Sequence, residues 1–136
     1  MKDLLVEAND KNLETVQTFI REQLEEICSD VKTLLQIDLV VEEVFVNIAH
    51  YAYAPKTGDA KISCEVTKEP ARLTLIFTDS GKPFNPLQRP DPDVTLGLEE
   101  RNIGGLGIFL TKKYMTTTAY EYKDGKNIFT LTRDFS

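Results

Sequence analysis

The spacing of apolar residues divides the chain into stretches of period 2 and stretches of period 3.6. Leu4, Leu5 and Val6 form a short apolar run ended by Asn9 and Asp10, the pattern of a first strand. Leu13, Val16, Phe19, Ile20, Leu24 and Ile27 recur at helical spacing and predict a helix over 13–28, with Asn9, Asp10 or Asn12 available to cap its start. Beyond Ser29 and Asp30, a second helical stretch carries Leu34 and Leu35 into a helix over 38–53. There Ile37, Val41, Val44 and Ile48 make one apolar stripe, and Pro55 with Thr57-Gly58-Asp59 ends the element. Ile62, Cys64 and Val66 alternate over 60–67, and 72–78 is a nearly continuous apolar run. Together they predict a hairpin whose second strand is central in its sheet.

Strand character stops at Asp79-Ser80-Gly81-Lys82-Pro83-Phe84. Residues 85–102 then hold Pro86, Pro90 and Pro92 without a sustained period, and so long an irregular stretch in a compact domain is usually a lid or binding loop. Ile103-Gly104-Gly105-Leu106-Gly107 leads into a helix expected over 108–115, with Lys112 and Lys113 in its last turn, where they complement the helix dipole. Strands over 117–122 and 127–133 close the chain about Asp124-Gly125, a strong hairpin signal. The elements add up to an α+β domain.

Composition narrows the class without changing that picture. A length of 136 residues fits one domain, and 41% hydrophobic with 28% charged residues is ordinary for a globular chain. The formal net charge of −6, with Lys112-Lys113 the sole adjacent basic pair, argues against a nucleic-acid partner. No apolar run approaches the ~18 residues of a membrane span, and the first residues do not read as a signal peptide. The expectation is a cytoplasmic protein that does not engage the membrane. Cys28 and Cys64 lack CxxC spacing and a neighbouring His cluster, so they read as buried, reduced thiols rather than zinc ligands.

Chemistry enters through the second helix. Glu43 and Asn47 are four residues apart and His50 follows by three, which puts them on one face of a regular helix. An amide oxygen can ligate a hard cation, and a nearby carboxylate can take a proton from a nucleophile. By themselves these residues equally describe the solvated face of an amphipathic helix. The Gly-rich stretch lacks the GK[ST] of a Walker loop and the GxGxxG of a dinucleotide fold. It still suits backbone N–H groups approaching an anion at a helix N-terminus, or simply a tight turn. Asp79 at a strand end could accept a hydrogen bond from an exocyclic amine, and Gly81 would let a ring lie against backbone; either residue could also just open a turn.

The order of these features is more specific than any one of them. Glu43-Val44-Phe45-Val46-Asn47, then Asp79-Ser80-Gly81-Lys82-Pro83-Phe84, then a Pro-rich segment, then Gly104-Gly105-Leu106-Gly107 resembles the N, G1 and G2 boxes of the GHKL ATP-binding superfamily. The small size, the lead-in Leu98-Glu99-Glu100-Arg101 and the GIFLTKKYM that follows the last box are similar to the anti-sigma-factor serine kinases of the RsbW-like family. The resemblance covers essentially the whole chain. It implies a Bergerat two-layer α/β sandwich, a mixed but mostly antiparallel sheet with three main helices on one face, and an ATP lid at about 85–103.

It further implies ATP and Mg²⁺ as cofactors. Asn47 would be the metal ligand, Glu43 the catalytic general base, and Asp79 the reader of the adenine amino group. Gly81 would line the adenine pocket, and Gly105, Leu106 and Gly107 would offer N–H groups to the phosphates. The implied activity is transfer of the ATP γ-phosphoryl group to a serine of a STAS-type anti-anti-sigma protein. A sigma factor as a second partner and a homodimer through the first strand are implied as well. Two other readings stand beside it: a non-catalytic ATP-binding regulatory module, which would not need Glu43, and a stand-alone relative of the histidine-kinase catalytic domain. Many relatives place a histidine four residues after the Asn, where this chain has Tyr51, so His50 reads as a pocket-edge or packing residue. Thr130 is the candidate for a supporting hydroxyl near adenine, and Arg101 could reach from the lid to the γ-phosphate or sit in a solvated salt bridge.

Overall fold

A computed structural model describes residues 1–88 and 103–135. Strand β1 (Lys2–Glu7) leads through a short 3-10 turn into helix α1 (Leu13–Leu24), followed by helix α2 (Val31–Asn47). Strands β2 (Asp59–Lys68) and β3 (Ala71–Asp79) come next, then helix α3 (Ile103–Tyr114) and strands β4 (Thr117–Lys123) and β5 (Lys126–Asp134). The five strands form one sheet in the order β1-β2-β3-β5-β4. Each of its pairings is antiparallel, so the mostly antiparallel sheet expected from the sequence has no parallel pair among the described strands. β3 lies at the centre, as its apolar run predicted.

One face of the sheet is apolar, and the helices cover it. Along β3, Leu73, Leu75 and Phe77 are buried while the residues between them are partly exposed. Ile62 and Cys64 of β2 and Phe129 and Leu131 of β5 complete the layer. Against it pack Val16, Ile20 and Leu24 of α1 and Ile37, Val40, Val41, Val44 and Phe45 of α2. Burying each such side chain contributes roughly 1.5–3 kcal/mol. The stripe of Ile37, Val41, Val44 and Ile48 read from the sequence is buried along its whole length.

The helix ends explain where sequence and structure part. α2 begins at Val31, because Asp30 caps it: its carboxylate accepts from the Thr33 N–H at 3.2 Å and the Thr33 hydroxyl at 2.6 Å, bonds that also lower its pKa. The Leu34 stretch and the Glu43/Asn47 helix are therefore one continuous element. α1 ends at Leu24 rather than near Cys28, and the Leu24 carbonyl accepts from the turn N–H groups of both Ile27 and Cys28. At its start Asn12 occupies the cap position without capping; its Nδ2 donates instead to the Glu7 carbonyl at 2.8 Å. The Arg21 guanidinium pairs with the Asp38 carboxylate and ties α1 to α2. The closing hairpin turns on Asp124 (φ 54°) and Gly125 (φ 76°), the left-handed pair that an Asp-Gly turn requires. No helix among the described residues is long and apolar enough to cross a membrane.

Candidate active site

The end of α2 is not a plain α-helix. After Asn47 the chain makes one π-helical turn, Ile48–Ala52. Its wider i→i+5 step turns the following residues away from the direction an α-helix would give them. Glu43 and Asn47 face a cavity of about 370 Å³, and so do Tyr51 and Ala52, but His50 does not. His50 is exposed, and its Nε2 lies 2.8 and 2.9 Å from the two carboxylate oxygens of Asp10. The single face drawn from regular helical spacing thus holds for Glu43 and Asn47. It fails for His50, which is tethered to the β1–α1 connection rather than at the pocket edge.

From the sheet side the cavity receives Asp79. Inward-facing positions on β3 fall every second residue, and Asp79 continues the series of Leu73, Leu75 and Phe77. Its carboxylate is therefore delivered to the helix-facing side, where the residue is only 7% exposed. Oδ1 accepts from the Gly81 N–H and from Asn127 Nδ2, each at 2.9 Å. Burial pushes the Asp79 pKa up, and the Asn127 and Gly81 hydrogen bonds pull against that rise. Gly81 packs directly on the segment leaving the π turn: a Cβ there would lie 2.3 Å from the Ala52 carbonyl oxygen. The Lys82 N–H donates to that same oxygen at 3.0 Å. Next to it, the Tyr53 hydroxyl accepts from the Ser80 N–H at 2.7 Å and donates to the Asp59 carbonyl at 2.6 Å. The 80–82 backbone is thereby clamped to the end of the α2 segment, which brings Asp79 and Asn47 to one cavity although they belong to different layers.

Two features give the cavity chemical character. Oδ1 of Asn47 is closed off from solvent and has no hydrogen-bond partner among the described residues. An orphaned amide oxygen on a cavity wall is a free hard donor, costly in the absence of a ligand. Glu43 is half-buried, and burial, followed by the adjacent charge of Glu42, raises its pKa. A carboxylate moved toward neutrality is better suited to accept a proton.

Sequence reasoning missed three polar lining residues. Thr111 on α3 is fully buried against the cavity, and Tyr120 of β4 and Asn127 of β5 form its floor with Phe77 and Phe129. Thr130, the expected hydroxyl, is not among the lining residues: inward positions on β5 are Asn127, Phe129 and Leu131, so Thr130 falls on the opposite face. Asn127 stands beside Asp79 in its place, directly across from it in the β3–β5 register. Helix α3 starts at Ile103, so Gly104 to Gly107 lie inside its first turns instead of preceding it. In such a helix the N–H groups of the first turn, Gly105 among them, have no intrahelical acceptor, whereas those of Leu106 and Gly107 bond backwards. Arg101 and most of the expected lid lie outside the described residues.

Comparison with known proteins decides the family. The model of the histidine kinase-like ATPase domain matches residues 6–133. The chain belongs to the histidine kinase-like ATPase family. A curated relative, the serine/threonine-protein kinase BtrW of Bordetella bronchiseptica, is 28% identical over 96 residues, which span 71% of this chain and 67% of the relative. Among solved structures, the RsbU and RsbW domains of Rv1364c from Mycobacterium tuberculosis superpose with a TM-score of 0.64 at 17% identity. That match takes in 98% of this chain and 32% of the other, so this chain spans about a third of it. The histidine kinase AdeS of Acinetobacter baumannii gives a TM-score of 0.51 at 18% identity, over 98% of this chain and 68% of that one. The two structures share the fold of this ATPase-family domain, and the family match agrees with the GHKL resemblance read from the three boxes.

Proposed function

We propose that the protein is an ATP-dependent serine-protein kinase of the anti-sigma-factor type. It transfers the γ-phosphoryl group of ATP to a serine of a STAS-type anti-anti-sigma protein and so regulates a sigma factor. The observation that carries this reading is the convergence of Glu43, Asn47 and Asp79 on one cavity, with the Asn47 oxygen unpartnered. The ATPase family and the kinase description of BtrW support it. A homodimer through β1 and a cytoplasmic location belong to the same proposal.

Asp79 accepts a hydrogen bond from the adenine amino group, and Gly81, packed against the Ala52 carbonyl outside the lining of the cavity, holds the backbone beside that carboxylate. Gly105, in the first turn of α3, offers its N–H group to the phosphates, and Leu106 and Gly107 follow it in the same helix start. The buried, unpartnered oxygen of Asn47 fits Mg²⁺, a hard cation that takes oxygen ligands. When bound, the ion neutralises charge on the phosphates. Glu43 accepts the proton of the serine hydroxyl as the new bond from that oxygen to the γ-phosphorus forms. The bond to the bridging oxygen breaks, and ADP leaves. Raised basicity from burial equips Glu43 for this step. The presence of Glu43 on the cavity also favours the kinase over a non-catalytic ATP-binding module, which has no use for a base.

The test is calorimetric titration with ATP, with and without Mg²⁺, coupled to a phosphotransfer assay on candidate STAS proteins. Glu43→Gln is expected to bind ATP as the wild type does and to lose transfer by about 10²–10⁴-fold. Undiminished transfer by that variant removes Glu43 as the base. Failure of the folded wild type to bind ATP overturns the proposal as a whole.

A further inference from the structure

Asn127 is a buried polar side chain on the cavity, 6% exposed, and the mechanism above gives it no role. It sits directly across from Asp79 in the β3–β5 register, on the same face. Every hydrogen-bonding direction of its amide is engaged. Nδ2 donates to Asp79 Oδ1 and to the Lys82 carbonyl, each at 2.9 Å. Oδ1 accepts from the Phe84 N–H at 3.1 Å and the Tyr120 hydroxyl at 2.5 Å. The amide orientation is therefore fixed: reversed, it would set donor against donor at Phe84 and acceptor against acceptor at Asp79 and Lys82.

This network divides the two oxygens of Asp79. Oδ1 takes N–H bonds from both Gly81 and Asn127. Oδ2 has no protein partner among the described residues, and Asp79 lines the cavity. Resting on the ATP reading, we propose that Asn127 is the positioning residue for base specificity: it saturates Asp79 Oδ1 and presents Oδ2 to the ligand as an acceptor. Such an acceptor takes an N–H edge, as on the amino group of adenine, and rejects a carbonyl edge, as on guanine. Without the amide, only the Gly81 N–H still opposes burial at the carboxyl, and the balance moves toward the protonated form, which offers a donor where an acceptor is needed. The other titratable groups around Asp79 are Tyr120 from β4, Tyr53 from the turn after α2, Lys82 beside Gly81, and Glu43 across the cavity on α2. The same amide pins Lys82 and Phe84 to the start of β5, so one side chain both orients the reader and holds the rim of the cavity.

The test compares Asn127→Thr with Asn127→Val, near-isosteric replacements that differ in whether a donor remains for Asp79. ATP and GTP affinities are measured by calorimetry from acid to neutral pH. N127T is expected to keep the ATP preference within about threefold of the wild type. N127V is expected to lose roughly tenfold or more in ATP affinity, and the acid limb of its binding profile should move to higher pH. Identical affinities, preferences and acid limbs for the two folded variants overturn the role of Asn127. If either variant fails to fold, the wild type decides: its Asn127 side-chain amide resonances must follow both the acid titration and ATP addition, and indifference to both overturns the proposal. Wild type that binds ATP while N127T and N127V behave alike refutes only this inference. Wild type that binds no nucleotide refutes the ATP reading on which it rests.

Discussion

Gly81→Ala tests most directly how the sheet end and the helix end are held together. The added Cβ would lie 2.3 Å from the Ala52 carbonyl oxygen, 2.6 Å from its carbonyl carbon and 2.7 Å from its Cβ. All of these are backbone or methyl atoms, so no flexible side chain can move aside. Ordinary van der Waals contact needs the two segments to part by roughly 1 Å. The Lys82 N–H bond to the same Ala52 oxygen spans 3.0 Å and would not survive that displacement. Losing that bond costs about 0.5–1.5 kcal/mol. Forced separation of a packed contact costs about 1–3 kcal/mol more. A loss of roughly 2–4 kcal/mol is a large fraction of the ~5–15 kcal/mol that holds a typical domain together. Urea unfolding followed by circular dichroism gives the stability, and calorimetry gives nucleotide binding. ATP affinity should fall alongside stability, because Asp79 and the π turn no longer share one frame. Wild-type stability within about 0.5 kcal/mol, together with unchanged ATP affinity, would refute the clamp.

Asn47→Ala should abolish the Mg²⁺ dependence of ATP binding while leaving stability within about 1 kcal/mol of the wild type, since it removes an oxygen already without a partner; paired titrations and melts check both. Asp79→Asn should be at least as stable as the wild type at neutral pH and lose ATP affinity. A folded-state pKa raised by burial means the native state holds its proton more tightly than the unfolded chain. That contribution to stability is complete below the unfolded pKa and is lost as pH rises through the folded one, so the advantage of Asp79→Asn should shrink on acidification. Urea midpoints across that range measure it. Gly125→Ala meets no atom within 4 Å, yet it forces a side chain onto φ +76°. It should cost about 1 kcal/mol by backbone strain alone, read as a shift in urea midpoint without a change in ATP affinity.

Much of this molecule was determined by residues that are near one another in the chain. Strand alternation, the helical stripe of α2 and the Asp-Gly turn are periodic or local, so the five strands, three helices and central place of β3 could be read directly. Glu43 and Asn47 were legible for the same reason, because four residues on a helix is a fixed geometry. His50 was misplaced because a π turn leaves no periodic mark in the sequence. Asn127, Tyr120 and Thr111 are separated from Asp79 by a long stretch of chain or lie on another layer, so only strand register and helix packing bring them to the cavity. Thr130 illustrates the same limit in reverse: its hydroxyl had suitable chemistry, but a shift of one residue along a strand selects the opposite face. The chain carries its chemistry in short boxes; which side chains share a wall of the cavity was decided by pleat, register and one wide helical turn.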